Sequence, residues 1–457
     1  MTGALLTIVA AAAFAYILLG LFRHWHFGTG FDLAIFDQAV WHMSRFEAPA
    51  STISGYTNIL GDHFYPILAL FAPLYWIAPA PETLIVTQAL LLAASILPVY
   101  WFARARLAER PALALCAAHA LFWGMQRTAI ADVHEAAFAP LLVATALWAI
   151  DDRRWTLLWI VSGLLVLVKE DLIPLVAAFG GLLFLRGERK QGTVMAVGAS
   201  ALFVIVLLVV IPWFNNGAKW STGGAFTSVW ERPWTVPVML VSPPGKLRTI
   251  LIWLAPFAFL SLRSPYGLLL IPVALERLLS SIPVHWGASV HYTAPLAPIL
   301  AMSAADGLTR LVGKTSDPTR RRRLIGSVVA SVVVIAAIVP GHQPHWRLFR
   351  AMHYQDRPHQ APARSALAMI PDRASVVAQA SLAPHLSQRD QIHILKPGAP
   401  EAEYVIAAID LDPWPVTRED IATFLRERRQ RGYEPVFEQE GWVVLRRSAA
   451  AASSLMR

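Results

Sequence analysis

Long apolar runs separated by short polar connections fill the chain from its start to Pro340, and the pattern then changes. The first run, Ala4 to Phe22, is too long for a signal-peptide core and has neither a charged leader nor a small-residue cleavage site, so it reads as a retained transmembrane helix. Ten further runs follow, at 83–103, 111–126, 136–150, 155–168, 172–185, 193–212, 248–262, 265–281, 292–312 and 324–340. Because about 20 apolar residues cross a bilayer core, residues 1–340 are expected to form an α-helical polytopic membrane domain of about eleven spans. Beyond Pro340 the strand-like ASVVAQA and AEYVIAAID, the helix-like EDIATFLRERRQRGY and the strand-like GWVVLRR predict a small α/β domain over 341–457. The last residues, AAASSLMR, read as an unordered tail.

Composition agrees: 56% of the 457 residues are apolar and 15% charged, against roughly a quarter charged in soluble domains, which excludes a soluble globular enzyme. The net charge of +9 comes from basic residues in short clusters between apolar runs. That distribution marks topology rather than nucleic-acid binding. The single cysteine, Cys116, gives no disulfide framework and no thiolate metal site. The clusters are Arg104, Arg106 and Arg110; Arg153 and Arg154; Arg186, Arg189 and Lys190; Arg263; and Lys314 with Arg320 to Arg323. With a cytoplasmic N-terminus all of these fall on the cytoplasmic side of an inner membrane, and Arg23 is the one mild exception. Segments 23–82, 127–135, 169–171, 213–247, 282–291 and everything after Pro340 then lie outside.

The costly polar residues concentrate in those outer segments, as ionisable groups lining a substrate path do. In FDLAIFDQAVWHM the apolar residues recur at helical spacing, which predicts an interfacial helix. Asp32 follows Gly28 and Gly30 and can cap that helix; Asp37 has no capping role and either acts chemically or faces water. Asp62 and His63 precede a proline-interrupted apolar stretch, read as a juxtamembrane helix with the aspartate on its dipole. Arg127, Asp132, His134 and Glu135 fall within nine residues, competent to hold a divalent cation (Mg or Mn) or sugar hydroxyls, though no strict metal motif is matched. Lys169, Glu170 and Asp171 interrupt what is otherwise continuous span: either a solvated turn or a phosphate-holding lysine flanked by carboxylates. Trp213, Trp220, Trp230 and Trp234, beside Lys219, suit a membrane-interface belt or sugar stacking. His285 and His291, six residues apart, read as ligands, as hydrogen-bonding residues or as plain interfacial ones. Asp410 and Asp412, after a buried-looking strand, are read first as loop caps.

The stretches FDLAIFDQAVW, GDHFYPILALFAPLY, DVHEAAFAPLL, LVKEDL, HYTAPLAPIL, PDRASVVAQASLAPHLSQR and AEYVIAAID together resemble the bacterial polytopic membrane proteins of domain-of-unknown-function family 2079, over nearly the whole chain. That family looks like a branch of the C-type (GT-C) glycosyltransferase superfamily, whose members take sugars from polyprenyl-phosphate carriers at the outer membrane face. The resemblance implies that Asp32, with Asp37 next, is the base that activates an acceptor, and that Asp132 is a second acidic position. It also implies a polyprenyl-phosphate-sugar donor, a glycan, lipid or protein acceptor, and inversion at the sugar carbon. Lys169, Arg127 or a cation would hold the phosphate, while His63, His134 and Glu135 would orient it or the sugar. The competing expectations are a transporter or flippase for a lipid-linked or anionic substrate, which usually shows repeated halves and midplane polar sites, and a non-catalytic scaffold. No internal repeat is evident.

Overall fold

The computed structural model describes residues 2–218, 220–313, 315–341, 343–355 and 360–448. Lys219, Lys314 and the tail therefore lie outside the described residues. The chain resolves into two compact units, one of Met1–Leu19, Leu60–Leu68 and Val86–Phe349, the other of Gly20–Ile59, Ala69–Ile85 and Arg350–Arg457.

The first unit is helical. Helices occupy the places of the apolar runs, and among the described residues three, Gly3–Trp25, Pro81–Arg104 and Arg189–Phe214, are long and apolar enough to cross a membrane. Prolines shape them. Pro98 cannot donate to the carbonyl four residues earlier, and its helix is interrupted at Ser95, whose hydroxyl turns to Leu92 O at 2.6 Å and to the His119 ring at 2.9 Å. Pro212 follows a π-helical turn at Val206–Val210, which absorbs the missing donor. Helices Ile173–Leu185 and Arg189–Ile205 form a hairpin that depends on two glycines, since a Cβ at Gly192 would stand 2.6 Å from Gly180 O.

The run 248–262 is not one helix. The helix Gly245–Leu254 ends in a 3₁₀ turn, and Ala258 and Phe259 take φ of 51° and 56°, reversing the chain. Nor is Arg106 merely a topology signal. Its guanidinium meets Asp151 at 2.6 Å and Asp306 at 3.3 Å; Tyr266 also donates to Asp151, and Arg310 and Ser264 donate to Asp306. This tie pins segments that hydrophobic packing alone leaves free to slide.

The second unit is built on a five-stranded sheet: β1 (Val376–Ala378), β2 (Ile392–Ile394), β3 (Tyr404–Ala408), β4 (Tyr433–Gln439) and β5 (Trp442–Arg447). The order is β2-β1-β3-β5-β4, with β1 parallel to β2 and β3, and β5 antiparallel to β3 and β4. Both faces are covered. Val376, Ile406 and Val444 pack with Ala34 and Phe27, whereas Val377, Val405 and Leu445 pack with Ile421, Phe424 and Leu425 of the helix Arg418–Gln430. Two-sided burial is why β1, β3 and β5 read as continuous apolar runs. The edge strands β2 and β4 did not stand out, because edges tolerate His393, the glutamates and Pro435. The helix begins at a capping box, Thr417 with Asp420, and ends before Tyr433, which belongs to β4. Asp412 caps a loop as expected, accepting from Trp414 N at 3.0 Å.

Candidate active site

Each unit contains a polar centre. In the second unit the helix Phe31–Ser44 starts from an extended Gly30 at its N-cap, with no side-chain cap bond. Asp32 is therefore a half-buried first-turn residue beside the positive end of the dipole rather than the cap. The helix buries eight residues instead of one apolar stripe, Asp37 and Gln38 among them. Asp37 does not face water. Its carboxylate is fully buried and accepts from the Tyr75 hydroxyl, from Ser387 Oγ at 2.6 Å and from Gln388 Nε2 at 3.2 Å. Burial pushes it up to about 6, against the pull of those three donors and with a further push from Glu82. A folded-state proton affinity above the ordinary 3.8 means stability is greatest at low pH and falls as the pH rises towards 6. We expect Asp37→Asn to remove that slope in thermal unfolding followed between pH 4 and 7; an unchanged slope would show that Asp37 is not its source.

The proline-interrupted stretch is a 3₁₀ helix, Pro66–Phe71, running into the helical turn Ala72–Tyr75, and it leaves the first unit after Leu68. His63, just before it, bonds Glu170 Oε1 through Nδ1 at 2.5 Å. Phe64 N donates to the other Glu170 oxygen at 2.8 Å, and Trp220 Nε1 to the first at 3.0 Å. Burial works against the Glu170 charge, but His63, Lys169 and the Phe64 amide outweigh it and hold the carboxyl near 2. Burial and Lys169 likewise depress His63, and Glu170 with Asp62 overcomes them, leaving the imidazole above its ordinary value.

Lys169 stands 3.3 Å from Glu135. Burial is outweighed by Glu135, Asp171 and Glu170, so the ammonium stays charged. The turn 169–171 is thus not solvated: Glu170 is fully buried, and burial raises Asp171, with Glu276 and Glu170 adding to the effect against Lys169. The rings of His134 and His291 stack 3.5 Å apart, and Gln88 Oε1 accepts from His134 N at 3.1 Å. Neither ring nitrogen of His291 has a hydrogen-bond partner among the described residues, and burial with the neighbouring His134 keeps the ring neutral. Between Glu135, Lys169, Asp171, Arg277, His291 and Tyr292 lies a void of about 10 Å³, room for a water-sized group.

The sequence candidates thus divide. Asp32 and Asp37 belong to the second unit. Within the first, His63, His134, Glu135, Lys169, Glu170, Asp171 and His291 come together. His285 is bonded to Ser280 at 2.8 Å and receives Arg277 on its carbonyl at 3.3 Å; burial lowers its ring to about 4. Asp62 is half-buried, Asp132 is buried in the extended link before Glu135, and Arg127 is on the helix Trp123–Ile130 with its Nε lacking an acceptor among the described residues. The residues do not fit a divalent cation. Among the described residues no group of three His, Cys, Asp or Glu side chains is placed to hold one, and Glu135 is taken by Lys169.

Sequence reasoning missed Tyr75, Ser387, Gln388 and Arg277, and offered Trp220 only as one of four tryptophans for a belt or sugar stacking. Arg277 carried a signal, since Glu276 and Arg277 interrupt an apolar run. Trp220 carried none that set it apart from Trp213, Trp230 and Trp234, which are 80%, 81% and 73% exposed.

The fold resembles that of ArnT from Cupriavidus metallidurans, whose crystal structure is bound to undecaprenyl phosphate. The two share 14% identity and a TM-score of 0.56 over 99% of this chain and 99% of that one. The oligosaccharyltransferase of Archaeoglobus fulgidus, in complex with Zn and sulfate, aligns with 96% of this chain and 73% of its own at 14% identity and a TM-score of 0.49. The first likeness establishes a GT-C-like fold. No curated protein sequence matches the chain. Residues 23–444 match the family described as "Predicted membrane protein (DUF2079)", and the chain therefore belongs to this family of membrane proteins.

Proposed function

We propose that this protein is an inverting glycosyltransferase of the inner membrane that moves a sugar from a polyprenyl-phosphate donor to an extracytoplasmic acceptor. In this reading it has about eleven spans, a cytoplasmic N-terminus and an outer C-terminal domain. The observation that carries the reading is the convergence of His63, Glu135, Lys169, Glu170 and His291, from distant segments, into one buried set of ionised and hydrogen-bonding groups. Burying charges costs several kcal/mol each before pairing, an expense out of keeping with a plain scaffold.

In the proposed step the Asp32 carboxylate takes the proton of an acceptor hydroxyl as that oxygen bonds to the anomeric carbon. The bond from this carbon to the phosphate oxygen breaks, and polyprenyl phosphate leaves with the electron pair. Lys169, which remains charged, is assigned to the departing phosphate together with Arg127, while His63, His134 and Glu135 orient it or the sugar. Asp37, its oxygens already engaged by three donors, is assigned a positioning role.

The test is mass spectrometry of envelope glycans and polyprenyl-linked sugars from cells lacking the protein. One glycan is expected to lose a sugar while the corresponding polyprenyl-linked donor accumulates. An unaltered glycan profile with lost uptake of a solute would instead favour transport.

A further inference from the structure

The second unit encloses a cavity of about 770 Å³, within the range of roughly 300–1,000 Å³ of small-molecule sites. Its charged lining is balanced: it holds Arg45, Arg373 and Arg389 and also Glu82, Asp372 and Asp390. A site for a phosphate would show an excess of cations, and an apolar tail would need an apolar wall. This wall offers charged donors and charged acceptors in equal number, which suits a ligand whose groups both donate and accept without net charge. Saccharide hydroxyls are such groups.

Several of these groups are unengaged. Arg373 and Asp390 make no side-chain hydrogen bond or ion pair among the described residues, and the indole N–H of Trp41, also in the wall, has no acceptor there. Others are fixed in place. Arg389 is held by the carbonyls of Leu386 at 2.6 Å and Ala374 at 2.6 Å, so that its guanidinium is set before a ligand arrives. Ser387 and Gln388 belong to the same wall and bond Asp37 from behind it, which ties the cavity to the helix carrying Asp32.

We propose that this cavity binds a neutral oligosaccharide, and that the acceptor of the proposed transfer is therefore a glycan rather than a lipid or a protein. The assignment as acceptor rests on the function proposed above; the binding of saccharide does not.

The test is calorimetric titration of the full-length protein in lipid nanodiscs with maltotriose, N-acetylated chitotriose, mannotriose and, separately, inorganic phosphate. Nanodiscs avoid competition from sugar-headed detergents. Saturable binding of at least one trisaccharide is expected, weakened about tenfold or more in the double variant Arg373→Gln with Asp390→Asn. Both residues are exposed, and an unchanged melting temperature checks that the variant is folded. Absence of binding to all three sugars, binding indifferent to the double variant, or binding of phosphate alone would each overturn the proposal. Saccharide binding in a protein that transfers no sugar would discard the glycosyltransferase and keep the site. Transfer whose acceptor KM is unmoved by the double variant would discard the site and keep the enzyme.

Discussion

Asp32→Asn is expected to lower sugar transfer by about 10²–10⁴-fold, the usual contribution of a positioned general base. The substitution preserves shape, and the charge of Asp32, a half-buried first-turn residue, adds about 0.3–1 kcal/mol through the helix dipole. Turnover of a polyprenyl-linked donor, measured beside donor binding and melting temperature, separates the chemical effect from a structural one. Full turnover in the variant would dismiss Asp32 as the base. A parallel fall in donor binding and melting temperature would make it a structural residue.

The second large effect concerns stability. Glu170→Ala removes the partner of His63 and strips the Phe64 and Trp220 N–H groups of their acceptor. Breaking a buried pair from one side costs about 3–5 kcal/mol, and that loss is expected in denaturant or thermal unfolding of the solubilised protein. Glu170→Gln keeps an acceptor oxygen and should lose less.

The pH dependence has two limbs. Glu170 is held near 2, below its ordinary 4.5, so its stabilisation is complete above pH 4.5 and disappears as the pH falls towards 2. His63 is held above its ordinary 6.5, so its share is complete below pH 6.5 and is lost as the pH rises through the raised value. The difference in stability between wild type and Glu170→Ala should therefore be greatest between about pH 4.5 and 6.5. A difference that is flat with pH would mean the pair is held by packing rather than charge.

The helical part of the fold was legible because a long apolar run is a local property, conspicuous without knowledge of its neighbours. The central strands β1, β3 and β5 were legible for the same reason. Chain reversal at Ala258 and Phe259 was not, since neither residue type announces a positive φ.

Among the polar residues, the sequence determined which were costly, because a charge amid apolar neighbours is conspicuous wherever it lies. Lys169, Glu170 and Asp171 stood out in this way. Whether such a charge meets water or a partner depends on residues far along the chain. Asp37 read either as a chemically active group or as one facing water, and only Tyr75, Ser387 and Gln388, the last two about 350 positions away, decide that it is buried. The same holds for Glu170, whose partner His63 comes from 107 residues earlier. Local composition thus fixed the elements and the inventory of ionisable groups. Their pairing, burial and protonation were decided only by tertiary contacts, because Coulomb energy and desolvation depend on distance in space and not on separation in sequence.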